Sequence, residues 1–178
     1  WETDRKGKLL AEIQHLKAWS DTQSQDEEAL TADLFPNCQH IYLTRRNKLR
    51  QAVSWWKAIK DDTWHLHSGQ QHQNPKAFYD KNYDFAALSH LLKELNLKEC
   101  ATQAYFSKHQ IKPLTVVYED FIADYAVTIQ RILHYLGLET DNLEIQAPYY
   151  HQTASTRSEK WVHQFREDLQ KDQSNKTW

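Results

Sequence analysis

Apolar positions in the first part of the chain recur with the period of a helix. Leu9, Leu10, Ile13, Leu16 and Trp19 stand at helical spacing among charged residues, so residues 4–19 are predicted to form an amphipathic helix. A polar stretch at 20–26 interrupts the pattern, and residues 26–35 read as a short helix stopped by Pro36-Asn37. The period then changes. His40-Ile41-Tyr42-Leu43-Thr44 is β-prone and bounded by turn residues, which predicts a short buried strand. It runs through Arg45-Arg46-Asn47 into a long helical pattern over 48–64, with Leu49, Ala52, Val53, Trp56 and Ile59 on one face.

The stretch 65–82 is rich in Gln, His and Asn and reads as a surface loop with little core of its own. Residues 84–109 are helical, with Phe85, Leu88, Leu91, Leu92, Leu95, Tyr105 and Phe106 supplying apolar faces. The run 113–118 is a near-continuous apolar strand of the kind found in parallel sheets covered on both faces. A helix over 124–136 follows, and Gly137 stands where a left-handed C-terminal cap belongs. Residues 139–156 are irregular, and a last helix over 158–170 turns Trp161, Val162, Phe165 and Leu169 inward. Two strand-to-helix units separated by a long helix predict an α/β fold, a layered and largely parallel sheet flanked by helices.

Composition narrows the picture. A chain of 178 residues with 40% hydrophobic and 26% charged residues suits one domain, 1–178, with a real core. Cys38 and Cys100 make no disulfide framework; they read as small apolar residues in a reducing, cytoplasmic setting. No apolar run reaches the roughly 20 residues of a transmembrane helix. A net charge of −2 excludes a bulk-basic nucleic-acid binder. With only three glycines, none clustered, there is no glycine-rich phosphate loop. The chain has no methionine and opens Trp1-Glu2-Thr3-Asp4, which sets up the expectation of a missing N-terminal segment.

In open α/β sheets ligands bind beyond the carboxyl ends of the strands, which directs attention to residues 44–47 and 118–120. Arg46 stands at the first strand's end, and Ser54 follows eight residues later, about two helical turns on. A guanidinium fork and a hydroxyl so placed can grip a terminal phosphate. The competing reading is a solvated basic helix start. The stretch from Arg45 to Lys57, interleaved with Trp55 and Trp56, also has the composition of a single-stranded nucleic-acid contact. Glu119 and Asp120 read better as structural groups, Asp120 capping the next helix and Glu119 pairing with an arginine, than as an acid–base pair. His65, His67 and His72 fall short of a zinc pattern, so no metal is expected.

The sequence Leu43-Thr44-Arg45-Arg46-Asn47-Lys48-Leu49-Arg50-Gln51-Ala52-Val53-Ser54-Trp55-Trp56-Lys57-Ala58 resembles the central motif of bacterial carbohydrate sulfotransferases of the trehalose 2-sulfotransferase type, which have lipopolysaccharide and nodulation-factor sulfotransferase relatives. Thr63-Trp64-His65 is similar to the aromatic-His pair closing the same helix, and 113–121 to the Pro-Leu-x-Val-x-Tyr-Glu-Asp stretch. Residues 132–138 (Ile-Leu-His-Tyr-Leu-Gly-Leu) and 156–166 resemble the family's later helices.

The resemblance implies a P-loop-related fold and sulfuryl transfer from 3′-phosphoadenosine 5′-phosphosulfate to a hydroxyl of a carbohydrate or glycolipid, with no metal and no nucleic-acid partner. It implies that Arg46 and Ser54 bind the donor's 3′-phosphate, that Arg157 reaches the nucleotide, and that Trp64 and His65 shape the acceptor pocket. The family's Pro-Arg-Ser-Gly-Ser-like loop for the 5′-phosphosulfate is not in these 178 residues. The fold is therefore expected to be incomplete at its N-terminus, with the catalytic base in the missing segment and this chain inactive alone. A truncated or degenerate nucleotide-binding or interaction protein is the alternative. Homo-oligomerisation is left open.

Overall fold

The computed structural model describes residues 35–67, 74–139, 143–151 and 156–173. The helices expected over 4–19 and 26–35 fall outside these residues, apart from Phe35. The chain divides into two compact units, 1–40 and 41–178. In the first, the Cys38 N–H closes a turn on the Phe35 carbonyl at 3.2 Å.

The second unit is helix-rich around a small parallel sheet. Strand β1 (Ile41–Thr44) leads into α1 (Lys48–Asp61), a two-residue strand β2 (Leu66–His67), α2 (Lys76–Asn82) and the long α3 (Phe85–Lys108). Then come β3 (Leu114–Val117), α4 (Tyr118–Ala123), α5 (Tyr125–Tyr135), β4 (Tyr150–His151) and α6 (Thr156–Gln173). β1 and β3 pair in parallel, with Ile41 opposite Leu114 and Thr44 opposite Val117. β2 and β4 form a separate antiparallel pair, Leu66 with His151 and His67 with Tyr150.

Local chemistry sets several boundaries. Asn47 caps α1 by accepting the Arg50 N–H at 3.0 Å, and Asp84 caps α3 by accepting the Ala87 N–H at 3.0 Å. α1 ends three residues before the expected Trp64. Asp62 adopts the left-handed region (φ 51°), while the Asp61 carboxylate accepts the Thr63 N–H at 3.0 Å. Gly137 (φ 71°) closes α5 as expected. The Gly137 N–H donates to His134 O and the Leu138 N–H to Leu133 O, the two bonds of a Schellman cap.

The core lies where α1, α2, α3 and α6 meet. Val53, Tyr79, Leu88, Trp161, Val162 and Phe165 are each at most 3% exposed. Trp161 packs against Phe78 and Tyr79, and its indole N–H donates to the Tyr79 carbonyl at 2.8 Å. Phe85 stacks on Phe165 with centroids 5.0 Å apart. The Tyr83 hydroxyl donates to Asp168 at 2.7 Å; burial first, then this carboxylate, pushes the phenol far above its ordinary range.

Four expectations need correction. Residues 65–82 are not a plain loop: β2 and α2 lie within them, and Tyr79, 3% exposed, belongs to the core, its carbonyl accepting the Trp161 indole N–H. Ile59 is 46% exposed, since the inward face of α1 rotates to Ala52, Val53, Lys57 and Ala58. β1 is not the buried strand expected: Ile41 and Leu43 are 41% and 59% exposed, although Val116, opposite Leu43, is at 2%. α4 and α5 pack on β3, where Arg131 of α5 donates to the Thr115 carbonyl at 3.1 Å, and they leave the Ile41–Leu43 side of β1 open. Cys38 and Cys100 are exposed free thiols rather than apolar filling. Among the described residues no helix is long and apolar enough to cross a membrane.

Truncating Phe165 to Ala removes a ring from the centre of this core and is expected to cost about 3–5 kcal/mol. Val127→Ala, at a position 63% exposed, should stay within about 0.5 kcal/mol of the parent. Urea denaturation followed by tryptophan fluorescence measures both, and comparable losses at the two sites would displace the core from α6.

Candidate functional site

The carboxyl ends of the parallel strands β1 and β3 lie side by side, and a carboxylate joins them. Glu119, in the first turn of α4, accepts the backbone N–H of Arg46 at 2.9 Å and that of Asn47 at 3.3 Å. Burial alone raises the Glu119 pKa, but the backbone donors of Arg46, Glu119 itself and Asn47, with the nearby Arg45 charge, outweigh it and hold the carboxyl below its ordinary value. Arg45 Nε lies 3.8 Å from Glu119, and its guanidinium sits 4.2 Å over the Tyr118 ring.

Arg46 projects the other way. Its Nη2 donates to both oxygens of Asp120, at 3.0 and 2.8 Å. Asp120 therefore binds a guanidinium rather than capping a helix, because it lies inside the first turn of α4 and not before it. Both side chains are more than 60% exposed. Glu119, in contrast, meets an arginine as expected.

Ser54 lies two turns into α1, on the side that packs against α6. It lines a cavity of about 40 Å³ together with Arg45, Arg50, Val53, Lys57, Ser158, Glu159 and Val162. Arg50 and Glu159 bridge the mouth at 3.0 Å. Lys57 is 4% exposed and lies 3.5 Å from Asp61, which also accepts the Asn74 amide at 2.6 Å. The structure thus brings Ser54 together with three cationic residues and a second serine. Arg46 is not among the residues lining this cavity.

The remaining expected residues lie elsewhere. Trp64 and His65 follow the far end of α1, about 20 Å from Arg46 by the rise of a 14-residue helix. Trp64 is 53% exposed, and its indole N–H reaches Asp62 at 3.2 Å. Arg157 is the second residue of α6, and its side chain lies outside the described part. His72 also lies outside it. Among the described residues no group of three or more His, Cys, Asp or Glu side chains is placed to hold a metal ion. The rings of Trp55 and Trp56 carry the ammonium groups of Lys98 and Lys60, at 5.2 and 4.4 Å.

A larger cavity, about 360 Å³, opens between β1 and the α1–α3 pair and is lined by Tyr42, Thr44, Lys48, Gln51 and Glu99 among others. Glu99 accepts the hydroxyls of Tyr42 at 3.0 Å and Thr44 at 2.8 Å, and pairs with Lys48. Burial alone raises its pKa, but these donors prevail and lower it. Nothing in the sequence marked Glu99, a glutamate in the middle of a long helix.

Residues 3–168 match the sequence profile of the Stf0 sulphotransferase family. Two curated relatives share this likeness, both named trehalose 2-sulfotransferase. The protein from Mycobacterium tuberculosis (strain ATCC 35801 / TMC 107 / Erdman) is 25% identical over 126 residues, 71% of this chain and 45% of the relative. The protein from Mycolicibacterium smegmatis (strain ATCC 700084 / mc(2)155) is 26% identical over 132 residues, 74% of this chain and 47% of the relative. The chain spans a little under half the length of the curated relatives it matches.

The Glu119 anchor has a pH signature. Its folded pKa lies below the unfolded one, so between the two values the unfolded chain binds more protons and stability rises with pH. The contribution is complete above the ordinary carboxylate value and is lost as pH falls through the folded value. Glu119→Gln should therefore show a shallower fall in urea midpoint between about pH 6 and pH 3. Parallel curves for parent and variant would remove Glu119 from this role.

Proposed function

The chain belongs to the Stf0 sulphotransferase family, and on that premise we propose that it serves sulfuryl transfer from 3′-phosphoadenosine 5′-phosphosulfate to a carbohydrate hydroxyl, with Arg46 and Ser54 as contacts for the donor's 3′-phosphate. The observation that carries this reading is the family match, which runs without division through β1, the turn and α1. The chemistry of the site supports it. A doubly charged phosphate monoester is recognised by guanidinium forks and hydroxyls, and the carboxyl end of β1 supplies Arg45, Arg46, Arg50 and Ser54 within ten residues. Arg46 already holds an anion, its Nη2 donating to both oxygens of the exposed Asp120 carboxylate, a partner of the kind a phosphate would replace.

In this reading the chain's residues bind and orient. Sulfuryl transfer, like phosphoryl transfer, goes through a loose in-line transition state, so holding the nucleotide in register with the acceptor contributes most of the effect. Arg157, the second residue of α6, is the further nucleotide contact in this reading. Trp64 offers an exposed indole face for a sugar ring, with His65 beside it. The relatives' name supports a carbohydrate acceptor.

Titration calorimetry of this 178-residue chain with adenosine 3′,5′-bisphosphate tests the assignment. Arg46→Ala is expected to weaken binding by about 2–4 kcal/mol, because it leaves a phosphate without its charged partner. Adenosine 5′-monophosphate, lacking the 3′ group, should bind correspondingly less tightly. Unchanged affinity in the variant would displace the 3′-phosphate from Arg46. Tight, steeply salt-dependent binding of single-stranded DNA that the bisphosphate fails to compete would move the basic stretch to nucleic acid.

A further inference from the structure

The cavity beside Ser54 contains more phosphate-binding chemistry than a single hydroxyl. Ser54 and Val53 on α1 face Ser158 and Val162 on α6, with Lys57 further along α1 and Arg45 in the turn before it. Three cations and two hydroxyls therefore converge on a space of about 40 Å³, room for one small group rather than a nucleoside. One carboxylate enters this set. Glu159 of α6 holds the Arg50 guanidinium at 3.0 Å, across 109 residues of sequence.

The two members of this pair differ from the rest of the cavity in exposure. The Arg50 and Glu159 side chains are 51% and 36% exposed, whereas Lys57 and Asp61 behind them are at 5% and 4%. A pair so open to water is weak and exchangeable, while the buried one is fixed in place. Arg50 lies one turn before Ser54 on α1, at the (i, i+4) spacing that puts two side chains on one helix face. Released from Glu159, its fork would reach the same anion as the Ser54 hydroxyl.

From this geometry we infer that Arg50 is a further phosphate contact of the Ser54 cavity and that Glu159 is its resting counter-ion, which the phosphate of the nucleotide displaces. The inference rests on the nucleotide reading above and adds a competition between carboxylate and ligand. Glu159 lowers affinity for the nucleotide while keeping Arg50 oriented between binding events. No bond is made or broken; one ion pair is exchanged for another.

A double-mutant cycle on the 178-residue chain, read by calorimetry with adenosine 3′,5′-bisphosphate, tests it. Arg50→Ala should weaken binding about tenfold or more. Glu159→Gln should tighten it about 2- to 5-fold, the range expected on removing an exposed competing partner. In the Arg50→Ala background Glu159→Gln should have no effect, because the residue it competes for is gone. Glu167→Gln, an exposed carboxylate on the same helix outside the cavity, controls for bulk charge and should leave affinity unchanged.

Equal tightening by Glu159→Gln with and without Arg50, or weakening in place of tightening, overturns the inference while the nucleotide reading stands. If the unmodified chain fails to bind the bisphosphate at all, the nucleotide reading falls and the inference with it. Thermal unfolding of the four chains separates either result from loss of fold.

Discussion

The site is organised by one carboxylate accepting two backbone N–H groups. Arg46 and Asn47 belong to the turn after β1, while Glu119 belongs to the turn of helix after β3. Each strand is four residues long and, among the described residues, the sheet they form has two strands, so their pairing alone gives little rigidity to the loops beyond it. A charge-assisted bond from Glu119 to the first turn couples the loops directly. It also fixes where Asn47 stands, and Asn47 caps α1. The direction of the helix carrying Arg50, Ser54 and Lys57 is therefore tied to a residue more than seventy positions later in the chain.

Packing does for the other end of the site what Glu119 does for the strand ends. Val53 on α1 and Val162 on α6 belong to the same buried cluster, together with Trp161 and Phe165. Their neighbours Ser54 and Ser158 therefore meet across the helix interface, and the cavity between them is a consequence of core packing. The core also explains the long reach of small changes. Tyr79 supplies the carbonyl that satisfies the Trp161 indole, so α2, though only seven residues long, helps set the position of α6.

Much of this architecture is written locally. Asn47, Asp84 and Gly137 each carry a capping signal, and each caps as its type predicts. β1 and β3 were legible because short apolar runs bounded by turn residues have few other uses, whereas β2 and β4, two residues each, lie in stretches that read as loop and as irregular. α2 was not, because Phe78 and Tyr79 are a single aromatic pair within a run of Gln, His and Asn, and periodicity needs more than one turn to register. The exposure of Leu43 and Ile59 was equally hidden, since a helical or alternating pattern shows that a face exists but not what covers it. Arg46 and Ser54 were picked out by their eight-residue spacing, Arg46 in the turn after β1 and Ser54 on α1. Their carboxylate neighbours were not: Asp120 lies 74 residues from Arg46, and Glu159 lies 109 from Arg50, and tertiary ion pairs leave no spacing signature.

Grouped cations repel one another, so a cluster of them needs anions of its own to stay ordered. Five basic residues of β1's turn and α1 have such partners: Arg45 with Glu119, Arg46 with Asp120, Lys48 with Glu99, Arg50 with Glu159 and Lys57 with Asp61. Burial sorts them by how readily they exchange. Lys57 and Asp61 are nearly inaccessible, and separating them would strand a charge away from water, so they belong to the framework. Arg45 is shielded in part by the Tyr118 ring and is intermediate. Arg46 and Arg50 are the most open, and for them water already screens the attraction that a ligand must replace. The same carboxylates that order the cluster thus divide it, leaving fixed charges at the back of the site and exchangeable ones at its mouth.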